Sequence, residues 1–223
     1  MLLKQRRDIN PKQIGLIGSS QGGWIAPLVA SQSKDVAFVV SLSAAGVPHA
    51  EQEKYDQVNR LRAQGASEDA IKKADDFLEL QFAAVRNRAG WEKLQAALPA
   101  ARGQIWASRS FAGFPKEHWI WAYWRKNVDF DSAPVLQRVR CPIMLIFGES
   151  DPHQPVQKGA RRAEEALQTG KNQDYSVKII PNANHSLQVP DANKRLVIAP
   201  DLEALIADWI SKRVTVAKSQ TMR

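Results

Sequence analysis

Four short apolar runs that alternate with helix-forming segments constrain the fold of this chain more than any other feature. Residues 36–44 (VAFVVSLSA) form a valine-rich run, which is typical of a parallel strand buried on both faces. Three further strand-like runs occupy residues 13–18, 142–148 and 175–183. Helical patterns follow them, at residues 23–32, 158–170 and 201–214. Strands that alternate with helices predict an α/β fold, in which helices flank a parallel sheet.

The middle of the chain differs, because it contains no convincing strand between about residues 48 and 134. Its charged segments favour helices, and Ser67 is suited to be an N-cap. We therefore expect three parts: residues 1–48 and 135–223 form the core, and residues 49–134 form a helical lid insertion. The insertion contains a cluster of aromatic residues, which either lines a substrate pocket or forms the insertion's own core. The cluster comprises Trp106, Phe111, Phe114, Trp119, Trp121, Tyr123 and Trp124.

Composition narrows the class of protein further. The chain has 31 Lys and Arg residues against 23 Asp and Glu, a formal charge of +8. These cations are dispersed and no nucleic-acid motif accompanies them, so we predict neither nucleic acid nor membrane as a partner. No apolar run approaches the roughly 18 residues that cross a bilayer. The first residues lack the apolar segment of a secretory signal, which makes the cytoplasm the default expectation. Cys141 is the single cysteine, so no intrachain disulfide can form.

The sharpest motif is Gly18-Ser19-Ser20-Gln21-Gly22, which fits Gly-x-Ser-x-Gly and lies between a predicted strand and a predicted helix. In that context the central serine occupies a tight turn that lifts its hydroxyl above the sheet, which suits Ser20 to be a nucleophile. The helix would also point its positive end and the Gln21 N–H at a developing oxyanion. The alternative is a Gly/Ser-rich turn that merely starts a helix. A phosphate-binding loop is disfavoured, because no Gly-Lys-Ser/Thr follows.

A serine nucleophile needs a base, and the base needs an orienting carboxylate. The chain has four histidines, His49, His118, His153 and His185. Of these, His185 lies in a turn-rich loop just after the fourth predicted strand, which makes it the candidate base. Asp151 follows the third predicted strand, and Glu149 is its competitor two residues earlier. The carboxyl ends of parallel strands gather at one edge of a sheet, which would bring these loops to Ser20. The chain order Ser20, Asp151, His185 is the one this arrangement uses.

These segments together resemble the α/β-hydrolase family, in particular its serine esterases and prolyl-oligopeptidase-like members. The resemblance is carried by residues 9–30 around the serine, 141–155 around the acid and 177–187 around the histidine, and by 129–142 on the return from the insertion. It implies an α/β-hydrolase-type sheet with a helical lid, Ser20 as nucleophile, Asp151 as acid and His185 as base. The amide of Gln21 is then one oxyanion donor. The resemblance implies no metal and no organic cofactor.

The N-terminal part of the chain departs from the family pattern. Family members carry further strands before the nucleophile and a loop that supplies the second oxyanion N–H, and this sequence contains no such loop. We therefore expect that the N-terminal part of the fold is missing, or that another copy completes the sheet edge. The main hypothesis is a serine hydrolase acting on a small-molecule carboxylic ester or acyl substrate. The alternatives are a peptidase acting on short peptides, and an inactive fragment that associates through its sheet edge.

Overall fold

The computed structural model describes residues 2–108 and 110–214. Its described residues fall into two compact units, one from residues 2–44, 133–151 and 160–214, the other from 45–108, 110–132 and 152–159. The elements run in the order β1 (Leu16–Ser19), α1 (Gln21–Ala30), β2 (Val39–Leu42), α2 (His49–Ala63), α3 (Glu68–Arg86), α4 (Arg88–Ala101), α5 (Trp119–Asn127), α6 (Ala133–Leu136), β3 (Ile143–Gly148), α7 (Val156–Thr169), β4 (Tyr175–Ile180), β5 (Gln188–Pro190), β6 (Leu196–Ile198) and α8 (Leu202–Ser211).

The first unit, here called the sheet unit, is built on a parallel sheet in the order β1-β2-β3-β4. Every pairing is parallel, with Gly18 opposite Ser41 and Leu42 opposite Ile146. All six residues of β3 are buried, as its continuous apolar sequence predicts. The predicted α/β class is therefore confirmed. Because the strands are parallel, the loops that follow their carboxyl ends meet at one edge of the sheet.

One face of this sheet is closed by an apolar cluster that includes α8. Met144 and Ile146 of β3 are buried there with Leu202 and Trp209 of α8. The Trp209 ring meets Phe38 edge to face, with the ring centroids 6.1 Å apart. Aromatic pairs in this arrangement add to the stabilisation that burial provides. The cluster packs α8 against β2 and β3, and those strands carry the turn and loops at the carboxyl edge of the sheet.

The outer side of β1 is apolar and uncovered. Among the residues that the structure describes, β1 pairs with β2 alone. Its Ile17 is 58% exposed, and Ile25 and Val29 of α1 are exposed at helical spacing. A strand edge of this kind presents unpaired N–H and C=O groups. Association through this edge stays a prediction.

The other unit is helical and has its own core. Phe82, Leu94, Trp121 and Trp124 are buried in it. Ser67 accepts a hydrogen bond from Ala70 N–H at 3.2 Å, so the predicted N-cap of α3 is confirmed. The aromatic cluster divides, since Trp121, Trp124 and Phe111 lie in the core whereas Trp119 and Phe114 are exposed. Ordinary packing therefore explains the buried members of the cluster.

The sheet unit differs from the sequence prediction in its strand bounds and in one additional hairpin. The first two strands are shorter than the predicted runs 13–18 and 36–44, since β1 spans Leu16–Ser19 and β2 spans Val39–Leu42. The fourth strand ends at Ile180 and not at residue 183, because Asn182 takes a left-handed φ of 56° in the turn that follows. A two-stranded antiparallel hairpin, β5–β6, comes after His185 and was not predicted. Its strands have three residues each, too few for alternation to be recognised. In the described part of the chain, no helix combines the length and apolar character that a membrane span requires.

Candidate active site

The turn between β1 and α1 places Ser20 in a strained conformation. Ser20 has φ 53° and ψ −119°, in the half of conformational space that favours glycine. Its own N–H donates to the carbonyl of Leu42 at 2.8 Å, which ties the turn to the end of β2. The surrounding structure thereby holds the strain, which is of order 1–3 kcal/mol for such a residue. Ser20 is exposed, so its hydroxyl is accessible to a substrate.

A glycine before the serine is required by a close backbone approach. A Cβ added at Gly18 would lie 2.0 Å from the carbonyl oxygen of Gly22, which is backbone and cannot move aside without opening the turn. The first glycine of the Gly-x-Ser-x-Gly motif is therefore explained by contact between the end of β1 and the first turn of α1.

Gln21 is the first residue of α1, immediately after the Ser20 turn. The N–H groups in the first turn of a helix have no carbonyl one turn earlier to which they can donate. The N-terminus also carries partial positive charge. The backbone of Gln21 is thus suited to stabilise negative charge that develops beside Ser20.

The structure brings the three predicted side chains into one hydrogen-bonded series. His185 Nε2 lies 3.0 Å from Ser20 Oγ, and His185 Nδ1 lies 2.7 Å from Asp151 Oδ2. An ionised carboxylate can only accept, so Nδ1–H donates to Asp151. Nε2 of the neutral ring then accepts the hydrogen bond that the Ser20 hydroxyl donates. This is the arrangement in which a histidine can remove a proton from a serine.

Burial of the side chains increases along the series from Ser20 through His185 to Asp151. The Asp151 side chain is fully buried, whereas the His185 side chain is 25% exposed and Ser20 is open to solvent. Water therefore weakens the carboxylate–imidazole attraction less than it would weaken a surface ion pair. Asp151 is placed to hold the ring orientation and to stabilise a positive charge on it, while the reacting end of the series stays accessible.

The loops that carry Asp151 and His185 are fastened to each other by backbone contacts. Ser150 N–H donates to the carbonyl of Ala183 at 2.9 Å. A Cβ added at Gly148 would lie 2.3 Å from the carbonyl oxygen of Asn184. Only glycine allows the end of β3 to come this close to the histidine loop. The positions of the acid and the base are therefore set together.

Glu149, the competing acid, has a different contact. Its Oε2 accepts a hydrogen bond from the N–H of Asn182 at 2.9 Å. Its own N–H donates to the carbonyl of Ile180 at 3.0 Å. The hydrogen bond from His185 Nδ1 goes to Asp151 instead. Glu149 thus supports the left-handed turn at Asn182, three residues before the histidine.

Sequence reasoning missed a residue that shapes the histidine loop. Asn184 Oδ1 accepts hydrogen bonds from the N–H groups of Ser186 and Gln188, at 2.9 and 3.0 Å. Asn184 and Gln188 are also paired through their backbones, because Asn184 N–H donates to the carbonyl of Gln188. The signal available was the Asn-x-Ser pattern of an Asx turn around His185. These bonds hold the loop from both sides of the histidine.

The remaining three histidines lie in the helical unit and have other partners there. The ring of His49 stacks on Trp124 with the centroids 5.0 Å apart, and burial lowers its pKa. His118 caps the N-terminus of α5. His153 Nδ1 lies 2.6 Å from Asp56 Oδ1. Within the described residues, no cluster of three or more His, Cys, Asp or Glu side chains is arranged to hold a metal ion.

The family model described as "Alpha/beta hydrolase family" matches residues 2–199. The match covers most of the chain, and it agrees with the parallel sheet described above. The chain belongs to the alpha/beta hydrolase family. No curated protein sequence matches it.

Solved structures are similar to the chain at low sequence identity. DcsB, solved in complex with its substrate analogue, is 13% identical with a TM-score of 0.53, over 96% of this chain and 69% of that one. At this identity the likeness shows the fold alone.

Two other similar structures have TM-scores below 0.5. An esterase of Pyrococcus furiosus is 14% identical with a TM-score of 0.49, over 95% of this chain and 55% of that chain. A puromycin-hydrolysing peptidase of Mycobacterium tuberculosis is 15% identical with a TM-score of 0.41, over 79% of this chain and 19% of that chain. The chain thus spans little more than half the length of the esterase and about a fifth of the peptidase.

Proposed function

We propose that this protein is a serine hydrolase that cleaves small-molecule carboxylic esters through an acyl-enzyme. One observation carries the proposal: Ser20 Oγ, His185 and Asp151 form a continuous hydrogen-bonded series with contacts of 3.0 and 2.7 Å. Membership of the alpha/beta hydrolase family supports it. Ser20 is the nucleophile, His185 the general base and Asp151 the orienting acid.

In the first half of the reaction, the Ser20 oxygen attacks the ester carbonyl while its proton moves to His185 Nε2. The carbonyl oxygen becomes an oxyanion, and the Gln21 N–H donates to it. A single donor of this kind contributes about 10²–10³ in rate. The proton on Nε2 then passes to the leaving alcohol as the C–O bond breaks, and the acyl group remains on Ser20. Asp151 stabilises the imidazolium between these two transfers.

In the second half, water takes the position that the alcohol has left. His185 Nε2 removes a proton from the water as it attacks the acyl carbon, and a second oxyanion forms beside Gln21. When this intermediate collapses, Ser20 recovers its proton from His185 and the carboxylic acid departs. A base placed in this way typically contributes 10²–10⁴ in rate. Every proton transfer in this scheme involves an atom of the hydrogen-bonded series or of the substrate.

A fluorophosphonate probe tests the nucleophile. We expect the probe to label the protein on Ser20, and the Ser20→Ala variant to remain unlabelled. Ser19→Ala is the matched control, because Ser19 is the neighbouring exposed serine at the end of β1. Labelling that persists in Ser20→Ala, or that is absent from a folded wild-type chain, contradicts the proposal.

The choice between ester and amide substrates needs a second assay. We expect hydrolysis of p-nitrophenyl esters at a rate well above that of aminoacyl p-nitroanilides. A preference for the anilides would favour the peptidase alternative. A folded, unlabelled and inactive chain would favour the inactive fragment.

A further inference from the structure

The helical unit contains a large cavity of its own. Its volume is about 740 Å³, and all its described lining residues belong to α3, α4 and the segment between α4 and α5. Pockets for small organic ligands commonly fall between about 300 and 1,000 Å³. None of the residues in the proposed Ser20 series lines this cavity.

Two aromatic side chains that line the cavity are packed against neighbouring rings. Phe77 meets Trp106 edge to face at a centroid distance of 5.4 Å. Trp91 meets Trp121 in the same way at 4.9 Å. Phe77 and Trp91 both line the cavity, and their partners hold the rings in place. The apolar surface is therefore formed before any ligand arrives.

Large apolar side chains in the lining remain open to solvent. Ile105 is 48% exposed and Phe114 is 46% exposed, and both line the cavity. Contiguous exposed apolar surface in a concave site is typical of ligand binding. The cavity is thus suited to an apolar group that would cover these two side chains.

The charged side chains that line the cavity are all basic in the described part of the chain. Arg102 and Lys116 line it, and none of its described lining residues is an Asp or a Glu. Lys116 Nζ lies 5.3 Å from the centroid of the Trp91 ring, so the ammonium group lies over an aromatic side chain of the lining. A ligand that complements this surface has an apolar body and an anionic end.

We propose that this cavity binds an amphipathic carboxylate, with its hydrocarbon part against Phe77, Trp91 and Phe114 and its carboxylate on Arg102 or Lys116. Burial of the hydrocarbon part against these rings stabilises the complex. Charge-assisted hydrogen bonds from the cations fix the orientation of the anionic end. The site lies in the helical unit and does not depend on the proposed ester hydrolysis.

Isothermal titration calorimetry of the full chain with sodium decanoate tests the proposal, with decanol as a neutral ligand of the same chain length. We expect saturable binding of decanoate with one site per chain. In the double variant Arg102→Gln/Lys116→Gln, decanoate should bind about ten- to hundredfold more weakly while decanol binding is unchanged. Lys93→Gln is the matched control, since Lys93 is an exposed cation on α4 outside the lining.

A steric variant provides an independent test. Gly113 lines the cavity, and a Cβ added there meets no atom within 4 Å. Gly113→Trp should therefore fold, occupy part of the cavity and weaken the binding of both ligands about tenfold or more. The absence of saturable decanoate binding would overturn the proposal, as would unchanged affinity in the double variant. Unchanged affinity for both ligands in a folded Gly113→Trp variant would place the ligand elsewhere and would also overturn it.

Discussion

The strain at Ser20 predicts that two substitutions of this residue, to alanine and to glycine, give variants of different stability. Both Ser20→Ala and Ser20→Gly remove the hydroxyl, and with it the hydrogen bond to His185. They differ in the backbone, because alanine must keep φ 53° and ψ −119° against its Cβ whereas glycine has none. We therefore expect Ser20→Gly to be the more stable of the two variants, although neither hydrolyses esters.

The expected difference in free energy of unfolding between Ser20→Gly and Ser20→Ala follows from two opposing effects. The conformation of a non-glycine residue in this region is unfavourable by about 1–3 kcal/mol, which glycine recovers. Glycine also makes the unfolded chain more flexible, which lowers stability by about 0.4–1 kcal/mol. The net advantage of Ser20→Gly over Ser20→Ala then lies between about 0 and 2.6 kcal/mol, with a midpoint of about 1.3 kcal/mol. For a chain of this size, the midpoint corresponds to a difference in melting temperature of about 3–5 °C.

Urea denaturation followed by circular dichroism measures this difference as a free energy of unfolding. Ser19 supplies the matched control, since it is the last residue of β1 and is absent from the residues with positive φ. There the order should reverse, with Ser19→Gly less stable than Ser19→Ala. If Ser20→Gly is no more stable than Ser20→Ala, the turn does not store strain and the reasoning is refuted.

Three further predictions concern the acid, its loop and the helical unit. Asp151→Asn should lower kcat on a reactive ester by about 10⁴, because the amide no longer stabilises the required tautomer and charge of the histidine; steady-state kinetics on the folded variant measure this. Gly148→Ala should slow fluorophosphonate labelling by about 10²-fold, since the new Cβ meets the carbonyl oxygen of Asn184 and displaces the histidine loop; an unchanged labelling rate would contradict it. Burial lowers the pKa of His49 in the folded state. As the pH drops below about 6.5, the unfolded state therefore binds a proton that the folded state does not, and the free energy of unfolding should fall. His49→Phe should remove that part of the pH dependence in denaturation curves measured between about pH 5 and 8.

Much of the fold was predictable because the two central strands of the parallel sheet are largely buried. A strand covered on both faces must be apolar throughout, so β2 and β3 are visible as continuous runs without any knowledge of their neighbours. The β5–β6 hairpin was not predictable in this way. Its strands are three residues long, and exposed Leu196 and Ile198 resemble core residues in sequence although they lie on the surface.

For the candidate site, the sequence by itself determined which residue types stand after which strands: a serine between glycines after β1, two carboxylates after β3 and a histidine after β4. These are local facts, since turn chemistry and strand ends depend on a few neighbouring residues. The sequence already placed Asp151 ahead of Glu149 through the family resemblance, but only the tertiary structure gives the contacts that distinguish the two carboxylates. Asp151 and Glu149 are two residues apart and chemically alike, and the folded loops direct His185 towards Asp151 while Glu149 accepts the N–H of Asn182. These contacts join residues more than 30 positions apart, and no local pattern encodes them.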